Sequence, residues 1–190
     1  MISAILLAAG QSKRMNGHNK LIKEIQGIPL IKHSIKNILS SSIDELIIVL
    51  GHQKEIIEKI IDKDKKIKVV FNKNFKDGMA SSIKLGLNSL SEKTDFFFVC
   101  LGDMPMINSD IYNLMIECKN RKEIIVPTYD GKQGNPVLFA KSLKDKIMTI
   151  EGDNGAKKIL EQNKNRIFNI EIKNQSILKD FNTLESFDFL

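Results

Sequence analysis

Short apolar runs alternate with amphipathic helical patterns along most of this 190-residue chain. The runs cover residues 2–7, 46–50, 67–71, 96–101 and 124–126. Continuous apolar stretches of this length are typical of strands that are buried on both faces of a sheet. Because they alternate with helices, they predict an α/β fold in which a doubly wound, mostly parallel sheet carries helices on both faces.

Four amphipathic patterns between these runs predict the helices. Pro29 marks the start of the first helix, and Asn108 or Ser109 caps the start of the fourth. We expect every apolar stripe to pack into the core. The stripes are Ile31, Ile35, Ile38 and Leu39; Ile56, Ile57, Ile60 and Ile61; Ile83, Leu87 and Leu90; and Ile111, Leu114, Met115 and Cys118.

The pattern becomes less regular after residue 126. Residues 135–140 predict a strand that leaves the main sheet to form a lid, and residues 167–172 alternate as an edge strand does. The sequence contains no internal repeat, linker or low-complexity segment. Its length suits one sizeable core, so we expect a single domain over residues 1–190.

The first apolar run ends in small residues and then in a polar loop. Positions 8–10 are Ala-Ala-Gly, and the loop contains Lys13, Arg14 and Lys20. Small residues let a ligand approach the backbone, whose N–H groups bind anions, and the cations add full charges for phosphate. The loop is therefore a candidate site for a nucleoside triphosphate.

A second loop follows the fourth run and contains Asp103. Ligands of doubly wound sheets bind beyond the carboxyl ends of the strands, so both loops face one crevice if the two strands are neighbours. A carboxylate among phosphate-binding cations suits Mg²⁺, which takes one or two carboxylates plus substrate phosphates. The local alternative is a turn residue before Pro105, since Asp is common in turns.

Several familiar sites do not match the sequence. Gly10 and Gly17 are not followed by Lys-Ser or Lys-Thr, which excludes the usual P-loop, and no G-x-G-x-x-G follows the first run. The net charge of +6 suits a solvated, lysine-rich surface or attraction to an anionic small molecule. Nucleic-acid binding is a weaker alternative that rests on charge alone, because the basic residues are scattered and aromatic residues make up only 6%. Cys100 and Cys118 form no Cys-x-x-Cys motif and are expected to be reduced thiols.

The apolar N-terminal stretch is too short to span a bilayer, so we expect a cytoplasmic protein without a membrane partner.

Six ordered segments together resemble the motifs of a known enzyme family. The first loop, residues 6–15 with Asn19-Lys20, resembles the family's signature, and residues 72–86 its nucleotide-base segment. Residues 101–105 resemble its metal-binding motif, and residues 131–136 and 152–156 resemble segments near the acceptor side. Residues 180–183 resemble its closing Asp-x-Asp-Thr motif. Together these segments resemble the molybdenum cofactor nucleotidyltransferases. The most similar branch is the cytidylyltransferases, which are related to methylerythritol phosphate cytidylyltransferase and sugar nucleotidyltransferases.

The resemblance implies a Rossmann-like fold of the nucleotidyltransferase type and transfer of CMP from CTP to the terminal phosphate of molybdopterin. It also implies Mg²⁺ as cofactor and a molybdenum hydroxylase as the recipient of the product. In the family, Ala-Ala-Gly in the first loop accompanies CTP and Ala-Gly-Gly accompanies GTP, so Ala9 favours CTP. The implied catalytic residues are Arg14, Lys20 and Asp103. The implied nucleotide-binding residues are Leu7, Ala8, Ala9, Gly10, Lys20, Gly78, Ser82 and Gly102, and the implied metal ligands are Asp103 and Asn182.

Three positions depart from the family pattern and keep alternatives open. Asn16 replaces a glycine, Lys157 replaces an arginine, and Asn182 replaces the second aspartate of the closing motif. Asn182 keeps an oxygen ligand but loses a negative charge. The alternatives are another acceptor, such as a sugar phosphate or methylerythritol phosphate; GTP as donor; and a non-catalytic, nucleotide-binding cofactor insertion factor.

Overall fold

A computed structural model describes residues 1–12, 19–153, 155 and 157–181. Within these residues, eight strands form one sheet and two short strands pair in a hairpin. The strands of the sheet are β1 (Ile2–Ala8), β4 (Glu45–Leu50), β5 (Ile67–Phe71), β6 (Phe96–Leu101), β7 (Ile124–Tyr129), β8 (Lys132–Gln133), β9 (Val137–Ala140) and β10 (Ile167–Glu171). The hairpin strands are β2 (Glu24–Ile25) and β3 (Ile28–Pro29).

The sheet has the order β10-β7-β9-β6-β1-β4-β5, and β8 pairs with β7. The central strand β1 is parallel to both of its neighbours, β4 and β6, and β5 and β10 are also parallel to their partners. Only β8 and β9 run antiparallel to their partners among the described strands of this sheet. The predicted mostly parallel α/β sheet is confirmed.

The helices cover both faces of this sheet. They are α1 (Leu30–Leu39), α2 (Lys54–Ile60), α3 (Met79–Ser89), α4 (Ser109–Glu117), α5 (Lys144–Ile147) and α6 (Lys157–Gln162). Because side chains alternate along a strand, Leu6 of β1 joins the cluster under α1, α2 and α4, whereas Ile5 joins the cluster under α3, α5 and α6. No helix of the described residues combines the length and the apolar character that a bilayer crossing requires.

The predicted helical stripes pack into the core with two exceptions. Ile56 is 46% exposed and Leu114 is 40% exposed, so the expectation that all stripe positions are buried is wrong there. Helix α2 has only seven residues and buries Ile57 alone, and the adjacent Ile56 points about 100° away around the helix. The predicted cap of α4 is Asn108, whose side chain accepts a hydrogen bond from Ile111 N at 3.2 Å.

The lid predicted for residues 135–140 is wrong. Strand β9 lies inside the main sheet, antiparallel to both β6 and β7, and Leu138 is opposite Phe98 on one side and Ile125 on the other. Leu138 and Phe139 are fully buried, and Phe139 stacks on Phe97 with ring centroids 5.7 Å apart. A lid would expose these apolar side chains, so burial between two strands is favoured. The edge strand expected at residues 167–172 is confirmed as β10, parallel to β7.

Candidate functional site

A pocket of about 490 Å³ opens beyond the carboxyl ends of β1 and β6. Its walls come from the end of β1, the turn at Lys20, the start of α3, the loop after β6 and two later segments. The lining residues that the sequence singled out are Leu7, Ala8, Ala9, Gly10, Lys20, Gly78, Ser82 and Asp103. The structure therefore brings most of the predicted residues to one cavity.

Parallel pairing of β1 with β6 joins the two loops that were expected to meet. Leu7 is opposite Leu101, and Gly102 N donates a hydrogen bond to Leu7 O at 3.0 Å. Just beyond this pair, Lys20 Nζ forms an ion pair with Asp103 Oδ2. The Lys20 side chain is 17% exposed and that of Asp103 is 13% exposed. A cation and a carboxylate thus face each other in a partly shielded position at the pocket wall.

Backbone contacts fix the Lys20 side of this pair. Lys20 begins a 3-10 turn, Lys20–Ile22, and the side chain of the preceding Asn19 accepts a hydrogen bond from Leu21 N at 3.1 Å. Lys20 N donates to Ser12 Oγ at 3.1 Å, which ties the turn back to the loop after β1. The position of the ammonium group therefore depends on residues at both ends of the first loop.

Helix α1 and the C-terminal segment fix the Asp103 side. Ser34 Oγ of α1 donates to Gly102 O at 3.1 Å, and Asn37 Nδ2 donates to Pro105 O at 2.8 Å. Phe181 N donates to Asp103 O at 3.0 Å. Gly102, predicted to bind nucleotide, is not among the residues that line the pocket, and its backbone bonds to Ser34 and Leu7 hold the start of the Asp103 loop.

Ser82 is held in the opposite wall by a buried asparagine. Asn72, 5% exposed, donates from Nδ2 to Ser82 Oγ at 2.9 Å and to Ser81 Oγ at 2.8 Å. Its Oδ1 accepts a hydrogen bond from Asn74 N at 2.9 Å. Buried amides are stable when both ends are bonded in this way. Asn72 therefore orients the first turn of α3, a role that sequence reasoning did not assign to it.

Ala9 packs sideways as well as lining the pocket. A β-carbon built on Gly51 would lie 2.7 Å from Ala9 Cβ and 2.7 Å from Phe75 Cβ, so only glycine fits at position 51. Phe75 also lines the pocket, and His52 N donates to Ala9 O at 3.2 Å. The methyl group of Ala9 thus packs against Gly51, on the side where Phe75 enters the wall.

The pocket also contains residues that sequence reasoning missed. Asp153 and Asp180 add two carboxylates to its wall, and Phe75 and Met79 add apolar surface. Both aspartates lie in segments that resemble family motifs, residues 152–156 and 180–183, so these motifs were the available signal. Arg14 and Asn182, predicted to hold the triphosphate and the metal, lie outside the described residues, as do Lys13 and Asn16.

The acidic side chains fit a hard divalent cation that is shared with a substrate. In the described part of the chain, no three His, Cys, Asp or Glu side chains are grouped closely enough to hold a metal by themselves. Asp103 nevertheless presents a shielded carboxylate to the pocket, and Mg²⁺ commonly binds one or two carboxylates while phosphates and water complete its shell. The arrangement is thus suited to a metal that arrives with phosphate.

Comparison with known proteins places the chain in a sequence family. Residues 4–167 match the model described as the MobA-like NTP transferase domain. The chain is 30% identical over 153 residues to a probable molybdenum cofactor guanylyltransferase of Methanosarcina acetivorans, and the match covers 78% of this chain and 67% of that protein. It is also 30% identical over 167 residues to the bifunctional protein GlmU of Acetivibrio thermocellus, with 84% of this chain but only 33% of that protein covered.

Solved structures share the fold. Rv0371c of Mycobacterium tuberculosis has a TM-score of 0.88 at 21% identity, with 99% of this chain and 96% of that chain covered. A structure of the same mycobacterial protein in complex with manganese has a TM-score of 0.76 at 19% identity, covering 90% and 88% of the two chains. A nucleotidyl transferase of Methanothermobacter thermautotroptrophicus has a TM-score of 0.86 at 20% identity, covering 100% and 95%.

Proposed function

The chain belongs to the MobA-like NTP transferase domain family of nucleotidyltransferases, and from this membership we propose that it transfers CMP from CTP to the terminal phosphate of molybdopterin. The observation that carries the proposal is the Lys20–Asp103 ion pair in a pocket whose floor is made of small residues. This pair offers one group for phosphate and one for a metal at the same edge of the sheet.

The acceptor is proposed from the relatives and from the resemblance of the later segments. The Methanosarcina protein is named a probable molybdenum cofactor guanylyltransferase, which supports molybdopterin as the acceptor here. Sugar phosphates and methylerythritol phosphate are the competing acceptors. A cofactor insertion factor that binds nucleotide without turning it over is the non-enzymatic alternative. A molybdenum hydroxylase is the proposed recipient of the product.

The donor is proposed from Ala9. Ala9 and Phe75 both line the pocket, and the methyl group of Ala9 lies against Gly51. A β-carbon at position 9 would leave less room for a large base than glycine would. This supports CTP. GTP is the second candidate because the Methanosarcina relative is named a guanylyltransferase.

In the proposed reaction, an oxygen of the molybdopterin phosphate attacks the α-phosphorus of CTP. A new P–O bond forms, the bond between the α-phosphorus and the bridging oxygen breaks, and pyrophosphate leaves. The second pKa of a phosphate monoester is about 6, so the attacking oxygen is largely anionic near neutral pH and needs no general base. The task of the protein is therefore to hold several anions together and in line.

Lys20 faces the charge that develops on the leaving pyrophosphate, and such preorganised charges stabilise the transition state of phosphoryl chemistry. Asp103 would hold Mg²⁺, which neutralises and orients phosphates when bound. The manganese bound to the mycobacterial neighbour supports a divalent cation in this role. Backbone groups at positions 8–10 would contact the nucleotide, and Gly78 and Ser82 would lie near the base and ribose. Arg14 on the triphosphate and Asn182 on the metal remain predictions.

Pyrophosphate release tests the proposal. The purified protein is incubated with Mg²⁺ and either CTP or GTP, with and without molybdopterin. We expect release only with CTP and molybdopterin together. Release that does not require molybdopterin, or no release with any combination, would contradict the proposed transfer.

Ala9→Gly is the matched variant for the choice of donor. One methyl group in a binding pocket changes specificity by at least about tenfold, so we expect the ratio of kcat/KM for GTP to that for CTP to rise by that factor. If the wild type prefers GTP and the ratio of the two kcat/KM values is the same in Ala9→Gly, position 9 does not select the base.

A further inference from the structure

Helix α3 begins at the pocket without a cap of its own. The residue at its N-cap position is Gly78, which has no side chain to accept hydrogen bonds from the first-turn N–H groups. The cap comes from a distant segment: Met79 N donates to Asp153 Oδ1 at 3.0 Å, and Ala80 N donates to Gly152 O at 3.0 Å. Asp153 is 74 positions away from the amide that it accepts from.

The backbone on both sides is shaped for this contact. Gly78 has φ +98°, and a β-carbon there would lie 2.5 Å from the carbonyl carbon of Gly152 and 2.9 Å from Asp153 Oδ1. Gly155 has φ +52°, and a β-carbon there would lie 2.8 Å from Met79 Sδ. We call Gly152, Asp153 and Gly155 the α3 clasp. It fits closely enough that a side chain at Gly78 would push it away, because the nearest atoms there belong to the backbone of Gly152.

The turn held by the clasp is a wall of the pocket. Gly78, Met79, Ser82 and Asp153 all line the cavity. Asn72 holds Ser82 from one side, while the clasp holds Met79 from the other. Displacement of the clasp would therefore leave the start of α3 with unsatisfied N–H groups at the edge of the cavity.

We propose that Asp153 is a positioning residue, whose hydrogen bond to Met79 N holds the first turn of α3 in the arrangement that binds the nucleotide. The inference rests on the proposed function in taking a nucleoside triphosphate as the ligand of this pocket. It assigns Asp153 neither to the metal nor to the reacting phosphates. What matters is an acceptor atom at Oδ1, and the negative charge is secondary.

Two variants separate the acceptor from the charge. Asp153→Asn keeps an oxygen at the Oδ1 position and removes the charge, whereas Asp153→Ala removes both. Asp64→Ala is the matched control, because Asp64 Oδ1 also accepts a backbone N–H, from Lys66 at 2.8 Å, but lines a different groove. The dissociation constant for CTP with Mg²⁺ is measured by calorimetry for all three variants and for the wild type, without any acceptor substrate.

We expect Asp153→Ala to weaken CTP binding about five- to tenfold, the change in an equilibrium constant that loss of one ordinary helix cap produces. Asp153→Asn and Asp64→Ala should stay within about threefold of the wild type. Hydrogen–deuterium exchange gives a second readout without nucleotide: amides of the first turn of α3 should exchange faster in Asp153→Ala and at the wild-type rate in Asp153→Asn.

The outcomes that overturn the inference are distinct from failure of the proposed function. Unchanged CTP affinity in Asp153→Ala would overturn the positioning role while leaving the proposed transfer intact. An Asp153→Asn variant as weak as Asp153→Ala would overturn it too, because the carboxylate charge itself would then be required. A wild type that binds neither CTP nor GTP would overturn the proposed function and this inference together.

Discussion

Replacing Lys20 with methionine tests whether the ion pair at the pocket is part of the catalytic machinery. The substitution keeps most of the side-chain volume and removes the charge. Lys20 and Asp103 have side chains that are 17% and 13% exposed, so water screens their charges only in part. At an effective dielectric constant of 20, two unit charges 4 Å apart interact by about 4 kcal/mol, which sets the upper limit for Lys20 acting on a phosphate.

The net loss should not exceed this limit. Without nucleotide, Lys20 is paired with Asp103, so some of its attraction to phosphate is offset by the attraction that it gives up. Removal of one preorganised donor costs about 2–4 kcal/mol of transition-state stabilisation in comparable sites. We therefore expect kcat/KM of Lys20→Met to fall by about 30- to 900-fold, at 1.36 kcal/mol for each factor of ten.

Pyrophosphate release over a range of CTP concentrations separates kcat from KM. Lys32→Met is the matched control, because Lys32 Nζ also pairs with an aspartate, Asp62, at 2.8 Å, but the Asp62 side chain is 78% exposed. Exposed pairs contribute about 0–1 kcal/mol, and this one is not part of the pocket, so the control should have wild-type kinetics.

Two results would refute the reasoning about Lys20. A rise in KM with unchanged kcat would mean that Lys20 binds substrate and transition state equally. A kcat/KM within about threefold of the wild type would remove Lys20 from the reaction altogether.

The Asp103 carboxylate, the backbone at Gly78 and the buried Cys100 thiol can each be tested in the same way. Asp103→Asn should lower turnover by at least about 100-fold and abolish the Mn²⁺ binding that electron paramagnetic resonance measures, while the circular dichroism spectrum stays unchanged. A variant that binds Mn²⁺ as tightly as the wild type would contradict a metal role for Asp103. Gly78→Ala should lower the melting temperature by about 2–10 °C, since φ +98° and the nearby Gly152 carbonyl leave no room for a β-carbon; an unchanged melting temperature would mean that the clasp moves freely. Burial raises the pKa of the Cys100 thiol from 9.0 to about 12. Above pH 9 the thiol of the unfolded chain therefore loses its proton while that of the folded chain keeps it, so the free energy of unfolding should fall between pH 9 and about 12. Denaturation experiments on Cys100→Ser should show a smaller fall over this pH range.

Much of the sheet was predictable because burial on both faces leaves a local signature. The run that became β1 has no polar side chain except Ser3, whose hydroxyl bonds to Thr94 at 2.8 Å, and only a central strand tolerates such a sequence. The meeting of Lys20 with Asp103 followed from the general rule for carboxyl ends of parallel strands. Asn72 and Asp153 were not assigned these roles. Each contacts the start of α3 from another segment, and a hydrogen bond between distant segments leaves no periodicity to read.

The position of β9 inside the sheet, where a lid was predicted, also affects how the Asp103 side of the pocket is built. Because β9 lies between β6 and β7, the segment just before it is brought against the C-terminal part of the chain: Asn135 N donates to Ile177 O at 3.0 Å, and a β-carbon on Gly134 would lie 2.5 Å from the same oxygen. Four residues after Ile177, Phe181 N reaches Asp103 O. A lid strand would have left the segment at Ile177 without this support. Insertion of β9 into the sheet therefore helps to deliver the C-terminal segment, with Asp180, to the Asp103 side of the pocket. Substitutions at Gly134 should accordingly disturb the Asp103 loop, although the two are far apart in sequence.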